Sequence, residues 1–303
     1  MDEITPIRVF LEVARRQSFT GTAEHFGLSI SAISKHVATL EKSLNARLLN
    51  RTTKTMSLTR AGSLVVERGT AVVRDLANMR ASVAGLNGDI SGVVRVGAAP
   101  YFGAQRITPL IASFCEQHPA IQVSLTLLSH RRVGDFVKEG LDVGIINSPD
   151  LQDATHSAYT ITNMPQVLVA SPSYQKRAGR IQTPSGLAKL NCLVNSYKSP
   201  TGTWRFNGPQ GEVTVTVQGN FRSIYGDCLK VAAVHGMGIS MHPRYMVAKE
   251  LAQGELVQLL PDFEPEMLHV FALFASGGLI PQSVRTFLDF LRQWGRENPN
   301  WID

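Results

Sequence analysis

The stretch Ser18–Gly62 reads SFTGTAEHFGLSISAISKHVATLEKSLNARLLNRTTKTMSLTRAG, and it decides how the first part of this 303-residue chain folds. Thr20 can cap a short helix that ends near Phe26, because its hydroxyl can accept a hydrogen bond from a backbone N–H. Gly27 allows the left-handed conformation that ends a helix, and Ser29 can cap the helix that follows. The stretch therefore predicts two helices joined by a tight turn.

The second of these helices has two different faces. Ile33, Val37, Leu40 and Leu44 recur every three or four residues, which predicts one buried stripe. Short and flexible side chains on the opposite face let a helix lie deep in a major groove, with its first turn against the base edges. The candidate DNA contacts on this face and its first turn are Ser29, Ile30, Ser31, Ser34, Lys35 and His36.

A basic hairpin is predicted directly after the second helix. Residues 47–51 and 55–58 have the pattern of two strands, in which Met56 and Leu58 face inward. Arg51, Thr52 and Lys54 at the tip are candidate contacts to phosphates or to the minor groove. Residues 1–60 hold nine Lys or Arg against five Asp or Glu, and so carry +4 of a net charge of +6. This charge distribution favours a polyanionic partner.

Two short helices with a glycine between them also occur in helix bundles, but the order of caps, polar face and basic hairpin favours a winged helix-turn-helix. The segment Phe10–Gly62 resembles the DNA-binding domain of LysR-type transcriptional regulators. The residues that carry the resemblance are Phe10, Ser18, Phe19, Ala23, Ser29, Ser34, Leu40, Glu41, Leu48, Arg51, Leu58, Thr59 and Gly62.

The chain departs from the family pattern at three positions. Ile30 stands where the family often has glutamine, so a base-reading amide is replaced by a group that can touch only a thymine methyl or a sugar. Asn45 replaces a common glycine, which is tolerable because asparagine visits the left-handed conformation. Leu49 replaces a common phenylalanine in the hairpin.

The length of the chain predicts two or three domains. We expect a winged helix-turn-helix over residues 1–58, a linker helix over 59–90 and an effector-binding regulatory domain over 91–303. Charged residues interrupt the first apolar positions, and no later segment has eighteen apolar residues in a row. A cytoplasmic protein without a membrane span is therefore expected. The three cysteines, Cys115, Cys192 and Cys228, lack metal-ligand spacing and are predicted to be buried, reduced thiols.

A long helix is predicted from Thr59, as its cap, to about residue 87. The apolar spacing along it indicates a coiled-coil seam made of Val65, Val72, Leu76, Met79, Val83 and Leu86. The alternative is an amphipathic helix packed on the core of its own chain. In the family this helix pairs two subunits, so the resemblance implies a homodimer, and commonly a homotetramer. The glycine-rich residues 85–92 are the expected hinge.

Strands and helices alternate from Val93 onward, which predicts an α/β fold with a mostly parallel sheet and helices on both faces. The resemblance implies a two-lobed sensor similar to periplasmic solute-binding proteins, with lobe one at 92–163 and 268–303 and lobe two at 164–267. The predicted strands are 93–96, 121–128, 142–146, 165–170, 192–195, 238–241 and 268–274. The predicted helices are 100–117, 132–139 and one through Phe287 and Trp294.

Ligands of such sheets bind beyond the carboxyl ends of the strands. Backbone N–H groups at helix starts, with two basic residues nearby, favour a carboxylate, so a small organic anion is the expected effector. The candidate effector-binding residues at these ends are Ala99, Pro100, Tyr101, Phe102, Ser129, His130, Arg131, Asn147, Ser148, Asn195, Tyr197, Tyr225, Asp227 and Met241. Each also fits a plainer interpretation: Asn147 and Ser148 before Pro149 suit an ordinary turn, and Tyr101 or Phe102 suits packing between lobes.

Other classes of function fit the sequence less well than a regulator does. The sequence contains no GxSxG, GxxxxGK[ST] or HExxH motif, so an enzyme is not expected, nor is any cofactor or metal. A solute receptor for transport would resemble the second part alone. A redox sensor would use a disulfide between Cys192 and Cys228. The preferred prediction is a regulator that binds double-stranded promoter DNA and changes its assembly or the DNA bend with its effector; RNA polymerase is a candidate partner.

Overall fold

The structure, a computed structural model, describes residues 4–51, 56–85, 90–129, 133, 135–137, 139–151, 156–275 and 280–301. It consists of a helical head, a long helix and two sheet-containing lobes. None of the helices within these ranges is long and apolar enough to cross a bilayer.

The head packs three helices and a hairpin around one core. Val9, Phe10 and Val13 of the first helix lie against Ile33 and Val37 of the third, all five without solvent exposure. Burial of this one ring and the four branched side chains is the main stabilising contribution for so small a unit. The elements are α1 Ile4–Arg16, α2 Phe19–Phe26, α3 Ile30–Ser43, β1 Leu49–Arg51 and β2 Met56–Leu58.

The helix caps are partly those predicted. Gly27 adopts a φ of +64° after α2, and the Ser29 hydroxyl accepts a hydrogen bond from Ala32 N at 3.1 Å, so both predictions are confirmed. Thr20 is not the first cap: the Ser18 hydroxyl accepts from Gly21 N at 3.0 Å. The helix begins one residue before Thr20, which therefore lies in its first turn.

Two leucines predicted to face inward are exposed. Leu44 is 48% exposed, because it ends α3 and the next residue, Asn45, turns the chain away with a φ of +48°. This left-handed asparagine confirms the prediction from the sequence. In the hairpin, Met56 packs on the core as predicted, but Leu58 is 36% exposed, at the end of its strand where the chain turns into the next helix.

The predicted long helix is α4, Arg60–Gly85. The Thr59 hydroxyl caps it, accepting from Gly62 N at 2.9 Å, and donates to Arg47 O at 2.6 Å. Val72, Met79 and Val83 are 46%, 56% and 60% exposed. The alternative that this stripe packs on the core of its own chain is therefore wrong for these three positions, but it is right for Val65, which packs against the core of the head. Leu86 and most of the predicted hinge lie outside the described residues.

The remaining elements form the two lobes. The strands are β3 Gly92–Ala98, β4 Ile121–Leu127, β5 Val143–Ser148, β6 Ser157–Met164, β7 Gln166–Ala170, β8 Cys192–Asn195, β9 Thr203–Gly208, β10 Gly211–Thr216, β11 Arg222–Ser223, β12 Ile239–Pro243, β13 Val257–Leu259, β14 Glu264–Pro265 and β15 Leu268–Phe274. The helices are α5 Pro100–Phe102, a π-helical segment Gly103–Ile107, α6 Thr108–Gln117, α7 Pro172–Ala178, a 3-10 helix Pro184–Lys189, α8 Gly226–Val234, α9 Arg244–Ala252 and α10 Gln282–Glu297.

Each lobe is built on one five-stranded sheet. The strand order is β4-β3-β5-β15-β6 in lobe one and β11-β8-β12-β7-β13 in lobe two. Both sheets are mixed rather than mostly parallel, because β15 runs antiparallel to β5 and β6, and β7 runs antiparallel to β12 and β13. A third sheet, β10-β9-β14, was not predicted.

The chain crosses between the lobes twice, after β6 and before β15. These crossings place the ends of β3, β5, β8 and β12 around one space between the sheets. The predicted helix over 132–139 falls largely outside the described residues, and residues 135–137 form a turn.

Candidate functional site

The outer face of α3 is open to solvent. Ile30 is 48% exposed, Ser31 and Lys35 are exposed, and Ser34 and His36 are half-buried. The Ser29 hydroxyl is engaged in the cap and lies 2.9 Å from Ser31 Oγ. Ser29, Ser31 and Ser34 have short side chains and Lys35 has a flexible one, so the first turn has the slim profile that a major groove admits.

The hairpin is held at a fixed place beside α3. Glu41 Oε1 accepts hydrogen bonds from Leu48 N at 2.8 Å and Leu49 N at 3.4 Å, which ties the start of the hairpin to α3. The Arg51 backbone pairs with Met56. The Arg51 side chain and the predicted contacts Thr52 and Lys54 lie outside the described residues.

A cavity of about 950 Å³, counting the open space at its mouth, lies between the two lobes. The structure brings nine of the predicted effector-binding residues into its wall: Ala99, Pro100, Tyr101, Phe102, Asn147, Asn195, Tyr225, Asp227 and Met241. Ser129, Ser148 and Tyr197 are not part of the wall. His130 and Arg131 lie outside the described residues.

Aromatic rings join the lobes at one side of this cavity. Tyr245 of lobe two stacks on Tyr101 of lobe one, with ring centroids 6.2 Å apart, and the Arg106 guanidinium lies 4.6 Å from the Tyr245 ring centroid. Phe102 is 3% exposed and packs edge-on against Trp301 at 5.7 Å. Tyr101 and Phe102 therefore pack between the lobes and also line the cavity, so the two interpretations are compatible.

Lys198 is a cavity residue that sequence reasoning missed. Asn195 Oδ1 accepts hydrogen bonds from Tyr197 N at 3.1 Å and Lys198 N at 3.0 Å, which fixes this turn at the end of β8. Lys198 lines the wall, and burial lowers the pKa of its amine from 10.5 to about 7. The expectation that ligands bind beyond the carboxyl ends of strands selected Asn195 and Tyr197. Lys198 is the next residue along the chain, so the same expectation extended by one residue would have included it.

His242 also lines the wall and was left out of the predicted set, although its neighbour Met241 was included. It is 1% exposed, and within the described part of the chain its Nε2 has no hydrogen-bond partner. Burial, together with the nearby Lys230 and Lys198, lowers the pKa of His242 to about 3. This imidazole is therefore neutral at physiological pH, and one nitrogen is left to bond with a bound molecule.

Lys230 has the partner that Lys198 lacks. Its Nζ lies 2.7 Å from Glu250 Oε1 and 5.5 Å from the Tyr101 ring centroid. Burial lowers the pKa of Lys230, but the hydrogen bond to Glu250 and the nearby Tyr101 outweigh this effect, so the net direction is upward. Lys230, paired with Glu250, thus lies next to Tyr101, which forms the aromatic contact between the lobes.

The prediction that all three cysteines are buried is wrong. Cys192 is buried and Cys115 half-buried, but Cys228 is exposed on α8. Burial raises the pKa of Cys192 to about 12, which disfavours the thiolate that disulfide exchange requires. This argues against the redox-sensor alternative. No group of three or more His, Cys, Asp or Glu in the described ranges is placed to hold a metal ion.

A helix-turn-helix head, a linker helix and a two-lobed α/β domain with a cavity between the lobes define a DNA-binding regulator with a ligand-binding domain. Residues 4–63 match the family described as bacterial regulatory helix-turn-helix protein, lysR family, and residues 87–296 match the LysR substrate binding domain. The chain belongs to the LysR family of transcriptional regulators. The matching relatives are transcriptional regulators. This protein is likewise a regulator and not an enzyme.

Similar proteins match over nearly the whole chain. The HTH-type transcriptional regulator PtxR of Pseudomonas aeruginosa is 32% identical, over 95% of this chain and 92% of its own length. DmlR of Escherichia coli is 29% identical, over 98% and 96%. The full-length structure of the Vibrio cholerae virulence activator AphB has a TM-score of 0.62 at 26% identity, covering 95% of this chain and 97% of AphB. CrgA of Neisseria meningitidis has a TM-score of 0.58 at 27% identity, covering 96% and 98%.

Proposed function

We propose that α3 enters the major groove of promoter DNA and that its first turn reads the base edges. The exposed, slim outer face of α3 carries this proposal. Ser31, Ser34 and Lys35 supply hydrogen-bonding groups, and Ile30 supplies an apolar contact of the kind that suits a thymine methyl. The hairpin, held to α3 by Glu41, would then meet the phosphates beside the groove. The proposed location is the cytoplasm, because a bacterial protein that binds promoters must be in the compartment that contains the DNA.

We propose further that the protein binds DNA as a homodimer or homotetramer paired through α4. The exposed apolar stripe of Val72, Met79 and Val83 is the support, since monomeric proteins seldom leave such a stripe uncovered along a long helix. A helix of 26 residues is about 39 Å long. This length would hold two heads at a distance from the lobes.

The effector is proposed to be a small organic anion that binds in the cavity between the lobes. The Lys198 amine in the wall and the N-terminal end of α8 at Gly226 both favour a carboxylate. Tyr101 and Trp204, also in the wall, would cover the apolar part. An anion that binds one lobe arrangement better shifts the population toward it.

The change between the lobes would then reach the DNA through α4, altering the spacing of the paired heads, the assembly or the DNA bend. The contact of Tyr245 with Tyr101 and Arg106 spans the two lobes beside the cavity, so a rearrangement of the lobes must repack it. RNA polymerase is the proposed partner for activation. None of these steps requires bond chemistry.

Base reading by α3 is tested with Lys35→Ala and, as a matched control, Lys42→Ala at the other end of the same helix, where the side chain is also exposed. Duplexes selected by the wild-type protein from a random pool are compared with unselected duplexes by fluorescence anisotropy. Lys35→Ala should lose about 1–3 kcal/mol of discrimination, whereas Lys42→Ala should keep it. An equal loss of affinity for both kinds of duplex would contradict base reading by Lys35.

A further inference from the structure

Lys198 is a basic residue in the wall of the cavity. Its backbone is fixed by Asn195, but the described residues offer no hydrogen-bond or ion-pair partner to Nζ. Lys230, in contrast, is satisfied by Glu250 at 2.7 Å. Taking an ammonium out of water without a counter-ion is unfavourable, so a negative group bound in the cavity would stabilise the charged form of Lys198.

The other charged and titratable groups around the cavity do not fill this position. On β9, Arg205 pairs with Glu266 at 3.2 Å. On α8, Asp227 lines the cavity, but among the described residues it forms no ion pair with Lys198. Arg222 of β11 donates to Pro200 O at 2.6 Å.

The remaining groups are His242 on β12, Lys230 on α8 and the tyrosines of the wall, Tyr101, Tyr225 and Tyr245. Lys198 and Lys230 both act on His242 to lower its pKa, so the two amines and the neutral imidazole lie near one another. The unpartnered, 1% exposed His242 Nε2 is a second group in the same wall that a bound molecule could satisfy.

We propose that Lys198 Nζ anchors the acid group of the effector, and that this amine takes up one proton from solvent when the acid group binds. The inference rests on the proposed effector site and adds to it a named anchor and a dependence on pH. A neutral amine forms only a weak hydrogen bond with an anion, whereas an ammonium group forms a stronger, charge-assisted hydrogen bond. Binding of the effector is therefore coupled to the uptake of a proton, and its affinity depends on pH.

The affinity for an anion should fall as the pH rises, because burial lowers the pKa of the Lys198 amine to about 7. Below this pH the amine is already charged and an anion binds at full strength. Above it, each bound anion must bring a proton with it, and the affinity falls tenfold per pH unit. Between about pH 6 and pH 9 the affinity of a fully ionised carboxylate should fall about 100-fold.

The test is isothermal titration of the full chain with three probes: benzoate, succinate and inorganic sulfate. Titrations run from pH 6 to pH 9 in pairs of buffers with different ionisation enthalpies, which reports the protons taken up. We expect at least one probe to bind with about 0.9 proton taken up near pH 8. Lys198→Met should weaken this probe at pH 6 by at least tenfold. Lys198→Arg, which remains charged and is the check on folding, should keep binding with a flat pH profile.

Lys189→Met is the matched control, because Lys189 is exposed and lies outside the cavity wall; it should behave as the wild type does. If a probe binds and its pH profile is the same in the wild type and Lys198→Met, the anchor assignment is overturned while the effector cavity stands. If none of the three probes binds the wild type at any pH, the anionic effector and the anchor both fail.

Discussion

Replacing Lys198 by methionine should stabilise the effector-free protein at neutral pH. The pKa of this amine falls from 10.5 to about 7 on folding, which corresponds to an upper limit of about 4 kcal/mol of destabilisation at pH 7. Because the side chain is half-buried, solvent screening reduces this figure, and we expect a gain of about 2 kcal/mol. For a domain of about 200 residues this is about 4–8 °C in Tm.

The gain should depend on pH in a defined direction. In the wild type the unfolded chain binds more protons than the folded one between about pH 7 and pH 10.5, so the destabilisation is fully present at and below pH 7 and disappears as the pH rises to about 10. Differential scanning calorimetry at a series of pH values should show the Tm difference between Lys198→Met and the wild type shrinking over this window.

Lys230→Met is the control with the opposite expected sign. It removes a lysine that is hydrogen-bonded to Glu250, and leaving that carboxylate buried without its partner should cost about 3 kcal/mol. Parallel pH profiles for the wild type and Lys198→Met, or a loss of Tm in Lys198→Met as large as in Lys230→Met, would refute the reasoning that Lys198 is an uncompensated charge.

Two further predictions concern the head and the linker helix. Ser18→Ala should lower the free energy of unfolding of the head by about 1 kcal/mol through loss of the cap, while Thr20→Ala should be nearly neutral in the same denaturant titration; equal effects would contradict the cap assignment. Met79→Asp, on the exposed stripe of α4, should shift sedimentation toward monomer, whereas Ala77→Asp on the opposite side of the helix should not. A dimer that persists in Met79→Asp would rule out the stripe as the interface.

The sequence predicted best those elements that local patterns determine. The strands Cys192–Asn195 and Leu268–Phe274 have the predicted bounds, because each is mostly apolar and has polar or turn residues nearby. The turn at Gly27 and the cap at Ser29 depend on two or three neighbouring residues. Ser18 and Thr20 both have a hydroxyl near the start of α2. Which of them caps the helix depends on the residue at which the helix begins, and helix ends are uncertain by one or two residues.

Features made by distant residues could not be predicted in the same way. The direction of β15 relative to β5 follows from a return of the chain across more than one hundred positions, and no local pattern records it. Lys198 is a simple turn residue in the sequence; its low pKa arises from its burial in the folded protein, where it lines the cavity. Strand ends indicated where the cavity would lie, but not which of its side chains would lack a partner.

The place of β15 in the sheet of lobe one has a consequence for synthesis on the ribosome. Strand β15 lies between β5 and β6, so these two have no common neighbour until residue 274 has emerged. The head, whose core also includes Ala61, Val65 and Val66 of α4, can fold once the first turns of α4 have emerged, long before residue 274, as amino-terminal units generally do during translation. A nascent or prematurely terminated chain would thus carry a finished DNA-contacting unit with an unfinished sensor, and could occupy operators without responding to any metabolite.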